Sequence, residues 1–359
     1  MINYAKHYID FYDKAEILSV LDSNHITQGP MIERFEKALT DYTAYNYCKT
    51  LSSGTAALHA ACYAIGIKSG DEVIIPTISF VATANCITYC GGNPVFADID
   101  PDTLLIDIES IKKHITSKTK AIISMDYAGQ LCDYKAIKEI CDKNNLYFIS
   151  DSCHSFGGIN YLAENQIPDI VCYSFHPAKH ITTGEGGACL TNNYIFDLTI
   201  KRFRNHGRDE KGIMQQLGFN YRMSDINAAL GLSQLEDKHL KFTSKRYKIV
   251  DRYDLELKCS KLKNVDKRIH VYHLYVIKVN KRKKFIEFMR NNGIQCVVHF
   301  KPIYEHMYYF KTELNYSLTY PNTEKIKNNI VSIPLFYSLM EADQTHIINC
   351  INNFVKIND

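Results

Sequence analysis

Short unbroken apolar runs alternate with segments of helical periodicity through the first two thirds of the chain. The runs fall at 72–75, 94–97, 121–124, 146–150, 170–174 and 187–190, and a further strand is expected at 48–51. The helical patterns between them cover 55–65, 80–90, 108–115 and 135–143. A strand that is apolar at every position has no face for water, so it must be covered on both sides. That is the condition of parallel strands in the centre of an α/β layer. Such a strand–helix–strand series predicts a doubly wound sheet, with ligands bound at the carboxyl ends of the strands.

The pattern changes after about residue 223. Ser224 and Asp225 read as a helix start, and a long helical pattern without proline runs on to about 257. A strand is expected at 271–279, a helix at 283–291, strands at 295–299 and 330–334, and a helix at 341–354. This describes a small α+β domain. For 359 residues about two domains are expected. The boundary predicted is 1–235 for a large domain with an N-terminal arm, and 236–359 for the small one.

Composition narrows the function classes. Lys+Arg 42 against Asp+Glu 39 leaves a net charge of +3, too balanced for nucleic acid or an anionic membrane as the main partner. The basic run 281–284 reads as a solvated helix end. The longest apolar run, 60–65, has six residues, whereas a membrane span needs about 20. The first residues carry no apolar core of the signal-peptide kind. The twelve cysteines include no C-x-x-C pair, so free thiols in a reducing cytoplasm are expected and no metal site.

Four stretches carry chemistry. In Ser52-Ser53-Gly54-Thr55-Ala56-Ala57-Leu58 a strand runs through small residues straight into a helix, whose N-terminus is a seat for phosphate or merely an ordinary Ser cap. The stretch from Ser174 to Gly187 follows a buried strand with an irregular segment holding Pro177, Lys179 and three glycines. A lysine in a cleft there loses water, loses basicity and becomes a nucleophilic amine. In Phe148-Ile149-Ser150-Asp151-Ser152-Cys153-His154 the carboxylate of Asp151 ends an apolar strand, and either pairs with a cation such as a protonated pyridine or caps a turn. In the stretch from Pro76 to Asn85, Phe80 is placed either to stack on a flat ring or to fill core.

Taken together, the chain resembles the DegT/StrS-type sugar-nucleotide aminotransferases among the fold-type-I pyridoxal-phosphate enzymes. The likeness runs through ITQGPMIERFEKAL, LSSGTAALHAA, DEVIIPTISFVATANCI, NPVFADIDPDTLLID, SDSCHSFGG, SFHPAKHITTGEGGACLTNN, NHGRDEKG, LGFNYRMSDINAALGLSQL, VVHF and SIPLF. Many motifs in order are far more specific than any one of them. SMDYAGQ, SDSCHS and SFHPAKHITTGEGGA are most similar to the branch making the UDP-4-amino sugar precursor of pseudaminic acid. The resemblance implies a large domain with a mostly parallel sheet flanked by helices, plus a small C-terminal α+β domain.

It also implies roles. Lys179 holds pyridoxal phosphate covalently, and Asp151 pairs with its ring nitrogen. His154 reaches the phenolic oxygen and Phe80 stacks on the ring. Gly54, Thr55 and Ser174 hold the phosphate. Asn220 and Arg222 are expected to come from a neighbouring subunit, to phosphate and to an anionic substrate group, so the active unit is a homodimer with shared sites. His299 lines the sugar-nucleotide cleft. The expected reaction moves an amino group from L-glutamate to the 4-keto carbon of a UDP-linked 4-keto-6-deoxy-N-acetyl sugar. Alternatives are a GDP- or dTDP-linked keto sugar, of the perosamine or 3-amino type, and a regulator that keeps the fold. An NAD enzyme is a poor fit, because no G-x-G-x-x-G opens the first helix. Asp126 stands where many members have His, His180 where Asn or Pro is commoner, and 160–167 lacks the usual glycines. These departures are expected to bear on substrate choice more than on cofactor binding.

Overall fold

The computed structural model describes residues 1–43, 45–161, 167–265, 269–312 and 314–358. The large sheet is built from β1 (Tyr47–Leu51), β2 (Glu72–Pro76), β3 (Asn93–Ala97), β4 (Thr119–Met125), β5 (Tyr147–Asp151), β6 (Ile170–Ser174) and β7 (Gly187–Thr191). Their order across the sheet is β1-β7-β6-β5-β4-β2-β3. The pairs β2/β3, β2/β4, β4/β5 and β5/β6 are parallel, while β7 runs antiparallel to both neighbours.

The helices that cover this sheet are α1 (Phe11–Leu21), α2 (Pro30–Tyr42), α3 (Gly54–Ala64), α4 (Ala82–Tyr89), α5 (Ile108–His114), α6 (Tyr134–Asn144), α7 (Tyr194–Phe203) and α8 (Asp225–Asp237). The pleat sorts each apolar run between two cores. Ile74, Ile122, Phe148 and Val171 enter one, with residues of α2, α6 and α8. Their neighbours Val73, Ile75, Ile123, Ile149 and Cys172 enter the other, with α3, α4 and α7. Successive side chains of a strand point to opposite faces, so an unbroken run is what a doubly covered strand requires.

The C-terminal part contains α9 (His239–Glu256), β8 (Ser260–Lys261), β9 (Tyr275–Lys278), α10 (Arg282–Asn291), α11 (Tyr316–Thr319), α12 (Pro321–Ile326), β10 (Ile330–Ile333) and α13 (Glu341–Asn358). Its antiparallel sheet has the order β10-β9-β8. A third core joins Tyr253 of α9, Ile277, Phe285, Met289, Val331 and Ile351. Among the described residues no helix is long and apolar enough to cross a membrane.

Three sequence expectations are corrected. Residues 295–299 are no strand: only Val297 pairs, with Ser332, and the chain then turns away to carry His299 and Phe300 to a cavity. The long helix expected from 224 is two helices, broken at Lys238. No proline or glycine marks that break. Its cause is tertiary: the buried Lys238 ammonium reaches Asp13 at 2.7 Å and Ser233 Oγ at 3.0 Å. Finally, the helix expected from 80 begins at Ala82, leaving Phe80 in the preceding loop.

Two helices precede β1 that the apolar pattern did not announce. Both carry local start signals. Asp10 and Asp13 form a reciprocal capping box at α1, and Pro30 takes the first turn of α2, where its missing N–H costs nothing.

Candidate active site

A cavity of about 620 Å³ opens at the carboxyl ends of β5 and β6. Gly54, Thr55, Phe80, Asp151, His154, Ser174, Lys179 and His299 all line it. Eight of the residues expected from sequence are thus brought to one place. Asn220 and Arg222 are not. Asn220 is exposed and bridges to Asn205, while Arg222 lines a separate pocket and donates to Asn205 Oδ1 at 2.6 Å.

The floor is the turn from β1 into α3. Ser53 Oγ caps the helix by accepting from the Ala56 amide at 3.1 Å. By helix geometry the amides of Gly54 and Thr55 have no acceptor within the helix, so the cavity meets a positive helix end. A Cβ at Gly54 would stand 2.8 Å from Ser174 Cβ and 3.1 Å from Cys153 Sγ. Only glycine leaves this gap between the helix start and the end of β6 open.

Lys179 stands on the arch between β6 and β7. Its amide donates to His176 O at 2.8 Å. The arch is tied at its base, where Phe175 N donates to Gly186 O at 2.8 Å and Thr182 Oγ1 to Phe175 O at 2.9 Å. Burial pushes the Lys179 ammonium below its ordinary range, with Cys153 and Asp151 acting weakly the other way. The amine is therefore available in neutral form at a lower pH than a surface lysine.

Asp151 is buried at the end of β5. Its Oδ2 accepts from Thr83 Oγ1 at 2.7 Å and its Oδ1 from the Cys153 amide at 3.3 Å. No cation among the described residues pairs with it by a salt bridge. A buried carboxylate facing a cavity without its counter-charge is a site for a cationic group.

His154 packs its ring against His273, centroids 4.2 Å apart, and against Phe300 at 5.8 Å. Its Nδ1 is buried and has no partner. Burial and the Lys179 charge hold the ring well below the usual imidazole range, so it is neutral. Across the cavity, His299 Nδ1 meets Ser332 Oγ at 2.9 Å, and burial brings its ring down to about 4. Phe80 is 51% exposed on the cavity wall, with its ring 5.8 Å from that of Phe300 and a face open to a flat ligand.

Sequence reasoning missed several residues here. His273, Tyr4 and Phe300 line the cavity. They come from the N-terminal arm and the small domain, and each sits in a stretch that reads as ordinary core or loop. Asp126, singled out in the sequence and expected to bear on substrate choice, has a different place. It does not line the cavity but lies beneath it, fully buried, where it accepts from Tyr134 and Ser155 hydroxyls at 2.5 Å, from Ser152 Oγ at 3.0 Å and from Cys132 N at 3.0 Å. It clamps the turn that carries Cys153 and His154, so its bearing is on the site's framework. His180 is likewise buried, donating through Nε2 to Val271 O, 2.9 Å away. Of the glycine-poor stretch, residues 162–166 lie outside the described residues.

The arrangement offers an anion seat, an unpaired carboxylate, an orphan imidazole nitrogen, an amine of lowered basicity and an uncovered aromatic face. A planar cationic heterocycle with an anionic tail and an electrophilic carbon satisfies all five at once.

Comparison with known proteins bears on the same point. Residues 8–352 match the DegT/DnrJ/EryC1/StrS aminotransferase family. The chain is 32% identical over 365 residues to GDP-perosamine synthase of Vibrio cholerae, covering 96% of this chain and 97% of that one. Among solved structures it superposes on Helicobacter pylori PseC, an aminotransferase involved in the biosynthesis of pseudoaminic acid, with a TM-score of 0.92 and 32% identity over 99% of both chains. It also matches Streptococcus pneumoniae Spr1654 in its PLP form, with a TM-score of 0.92 and 27% identity over 99% of this chain and 98% of that one.

Proposed function

Since the chain belongs to the DegT/DnrJ/EryC1/StrS aminotransferase family, we propose that this pyridoxal-phosphate-dependent sugar aminotransferase takes an amino group from L-glutamate. The acceptor in this reading is the 4-keto carbon of a UDP-linked 4-keto-6-deoxy-N-acetyl sugar. The observation that carries it is the meeting of Lys179, Asp151 and the Gly54–Ser174 gap on one cavity, in a chain that superposes end to end on PseC.

The residues fit the cofactor. Gly54, Thr55 and Ser174 would hold its phosphate, Asp151 its ring nitrogen, His154 its phenolic oxygen, Phe80 its ring face and Lys179 its aldehyde carbon. When bound, the cofactor supplies an electron sink for the charge left by a departing α-proton. The chain's own residues do the rest. Asp151, fixed by Thr83 and the Cys153 amide, keeps a proton on the ring nitrogen. Lys179 Nζ, with its basicity lowered by burial, takes the donor's α-proton and later returns it, which requires a group titrating near working pH. His299 faces the sugar-nucleotide side. Asn220 and Arg222 serve the site of a second subunit in a homodimer, Arg222 as a bidentate anion ligand. Residues 1–235 are taken as the cofactor-binding domain and 236–359 as the small domain.

A second reading keeps the chemistry and changes the nucleotide. The Vibrio cholerae relative is named for GDP-perosamine, which favours a GDP-linked keto sugar over a dTDP-linked one. One experiment separates the two readings. The purified holoenzyme is bleached with L-glutamate, freed of it, and mixed with UDP-, GDP- or dTDP-linked 4-keto sugars in turn. Recovery of the visible band with the UDP-N-acetyl sugar alone is expected; recovery only with the GDP sugar would replace the first reading with the second. No bleaching with glutamate would point to a non-catalytic role.

A further inference from the structure

The loop between β2 and α4 delivers Phe80 to the cavity, and two hydroxyls beside it, one in the loop and one in the first turn of α4, are left over. Ser79 and Thr83 are four residues apart and both fully buried, at 1% and 0% exposure. Their oxygens are 2.6 Å apart, and Thr83 Oγ1 is 2.7 Å from Asp151 Oδ2. Proton counting gives the chain a direction. An ionised carboxylate only accepts, so the Thr83 proton is committed to Asp151. Thr83 Oγ1 then has only lone pairs to offer Ser79, so Ser79 must donate to it. The result is a polarised relay, Ser79 to Thr83 to Asp151, in which each bond strengthens the next.

We propose that Thr83 is a positioning residue that acts through Asp151: it fixes which carboxylate oxygen is free for the cofactor ring nitrogen, and keeps that carboxylate a weak enough base to leave the proton on the ring. The inference rests on the reading of Asp151 as the ring-nitrogen partner. Its physical basis is that a hydrogen bond donated to a carboxylate stabilises the charged form. Without the donor, Asp151 becomes more basic and draws the ring proton toward itself. Without Thr83 only the Cys153 amide at 3.3 Å still holds the carboxylate, so cofactor binding loses part of its prearranged geometry. Ser79 contributes at one remove, by making the Thr83 hydroxyl a stronger donor. The same loop and the helix start that follows it thus deliver the ring-face aromatic at 80 and the back support of the carboxylate at 83.

The test uses the full chain reconstituted with ring-¹⁵N-labelled cofactor. In Thr83→Val the nitrogen resonance is expected to move toward the unprotonated pyridine position, and cofactor affinity, titrated into the cofactor-free protein, to fall about tenfold. Thr83→Ser, which keeps the hydroxyl, is expected to match the parent in both. Ser79→Ala is expected to shift the resonance in the same sense by less. An unchanged resonance in Thr83→Val overturns the proposal, and so does an equal change in Thr83→Val and Thr83→Ser, which would mean packing rather than hydrogen bonding. Should Thr83→Val fail to fold, Ser79→Ala decides by the same shift or its absence. Asp151→Asn distinguishes the two levels: if that variant leaves the resonance in place, the reading of Asp151 falls and the inference with it, whereas a shift there beside none in Thr83→Val removes the inference alone.

Discussion

At the scale of single residues, the site is decided by what each side chain is denied. Lys179, half-buried on the cavity wall, is denied much of its water, and its ammonium is pushed below the ordinary lysine range as a result. In the cofactor-free protein its reaction with an acylating reagent, followed by mass spectrometry against pH, is expected to show a midpoint below about 10.4. Lys179→Ala is expected to abolish turnover and the visible absorbance together; steady turnover in that variant would remove the lysine from its assigned role. Gly54 is denied a side chain. Gly54→Ala places a methyl 2.8 Å from Ser174 Cβ, so cofactor affinity should fall roughly tenfold or more while the fold loses only about 1 kcal/mol. Titrating cofactor into both proteins checks it. The residues that were legible in the sequence, Asp151, Lys179 and Ser174, all sit at strand ends or just beyond one, where a polar group after an apolar run stands out. Thr83 and His273 were not legible in that way. Their partners are distant in sequence, 68 residues away for Thr83, and no local pattern encodes such a pairing.

At the scale of elements, the alternation of apolar runs gave the large sheet its strands, because both faces of that sheet are covered and each run had to be unbroken. The run at 295–299 has the same look and a different fate. It serves one bridge and a cavity wall instead of a ladder. The break between α8 and α9 was invisible because its cause, Asp13, lies 225 residues from Lys238. Asp126 ties two elements at once, the end of β4 and the turn after β5: Ser150 and Ser152 alternate with Asp151 to face it, and Ser155 reaches it from the turn. Asp126→Ala strands those hydroxyls and the Tyr134 phenol in the interior. A loss of about 3 kcal/mol is expected in denaturant unfolding, with Asp126→Asn losing less because it keeps the shape and some acceptors. Equal stability of Asp126→Ala and the parent would mean that the clamp does not hold the turn.

For the whole molecule, buried imidazoles set the response to acid. His59 and His239 are brought down to about 4 by burial, and His154, His180 and His273 lie well below their usual value for the same reason. In the unfolded chain these rings take up protons near 6.5. Between there and about 4 the unfolded state binds more protons, so stability falls as pH drops through that window, by up to about 1.4 kcal/mol per pH unit for each such ring. Denaturant midpoints of the cofactor-free protein at pH 7 and 5 measure this; equal midpoints would contradict it. The proposal that two subunits share their sites in a homodimer makes a separate prediction. Lys179→Ala and Arg222→Ala, each inactive alone, should recover about a quarter of parental activity after unfolding and refolding together, since half the dimers are mixed and each mixed dimer has one intact site. No recovery would make each chain self-sufficient. The reversed direction of β7 bears on every turnover. Ser174 and Gly187 are register partners, so the lysine arch has both feet planted on adjacent strands of the same sheet. In the proposed reaction an amine released from its carbon would be leashed at two points rather than one. Its effective concentration at that carbon stays high, and recapture needs no search.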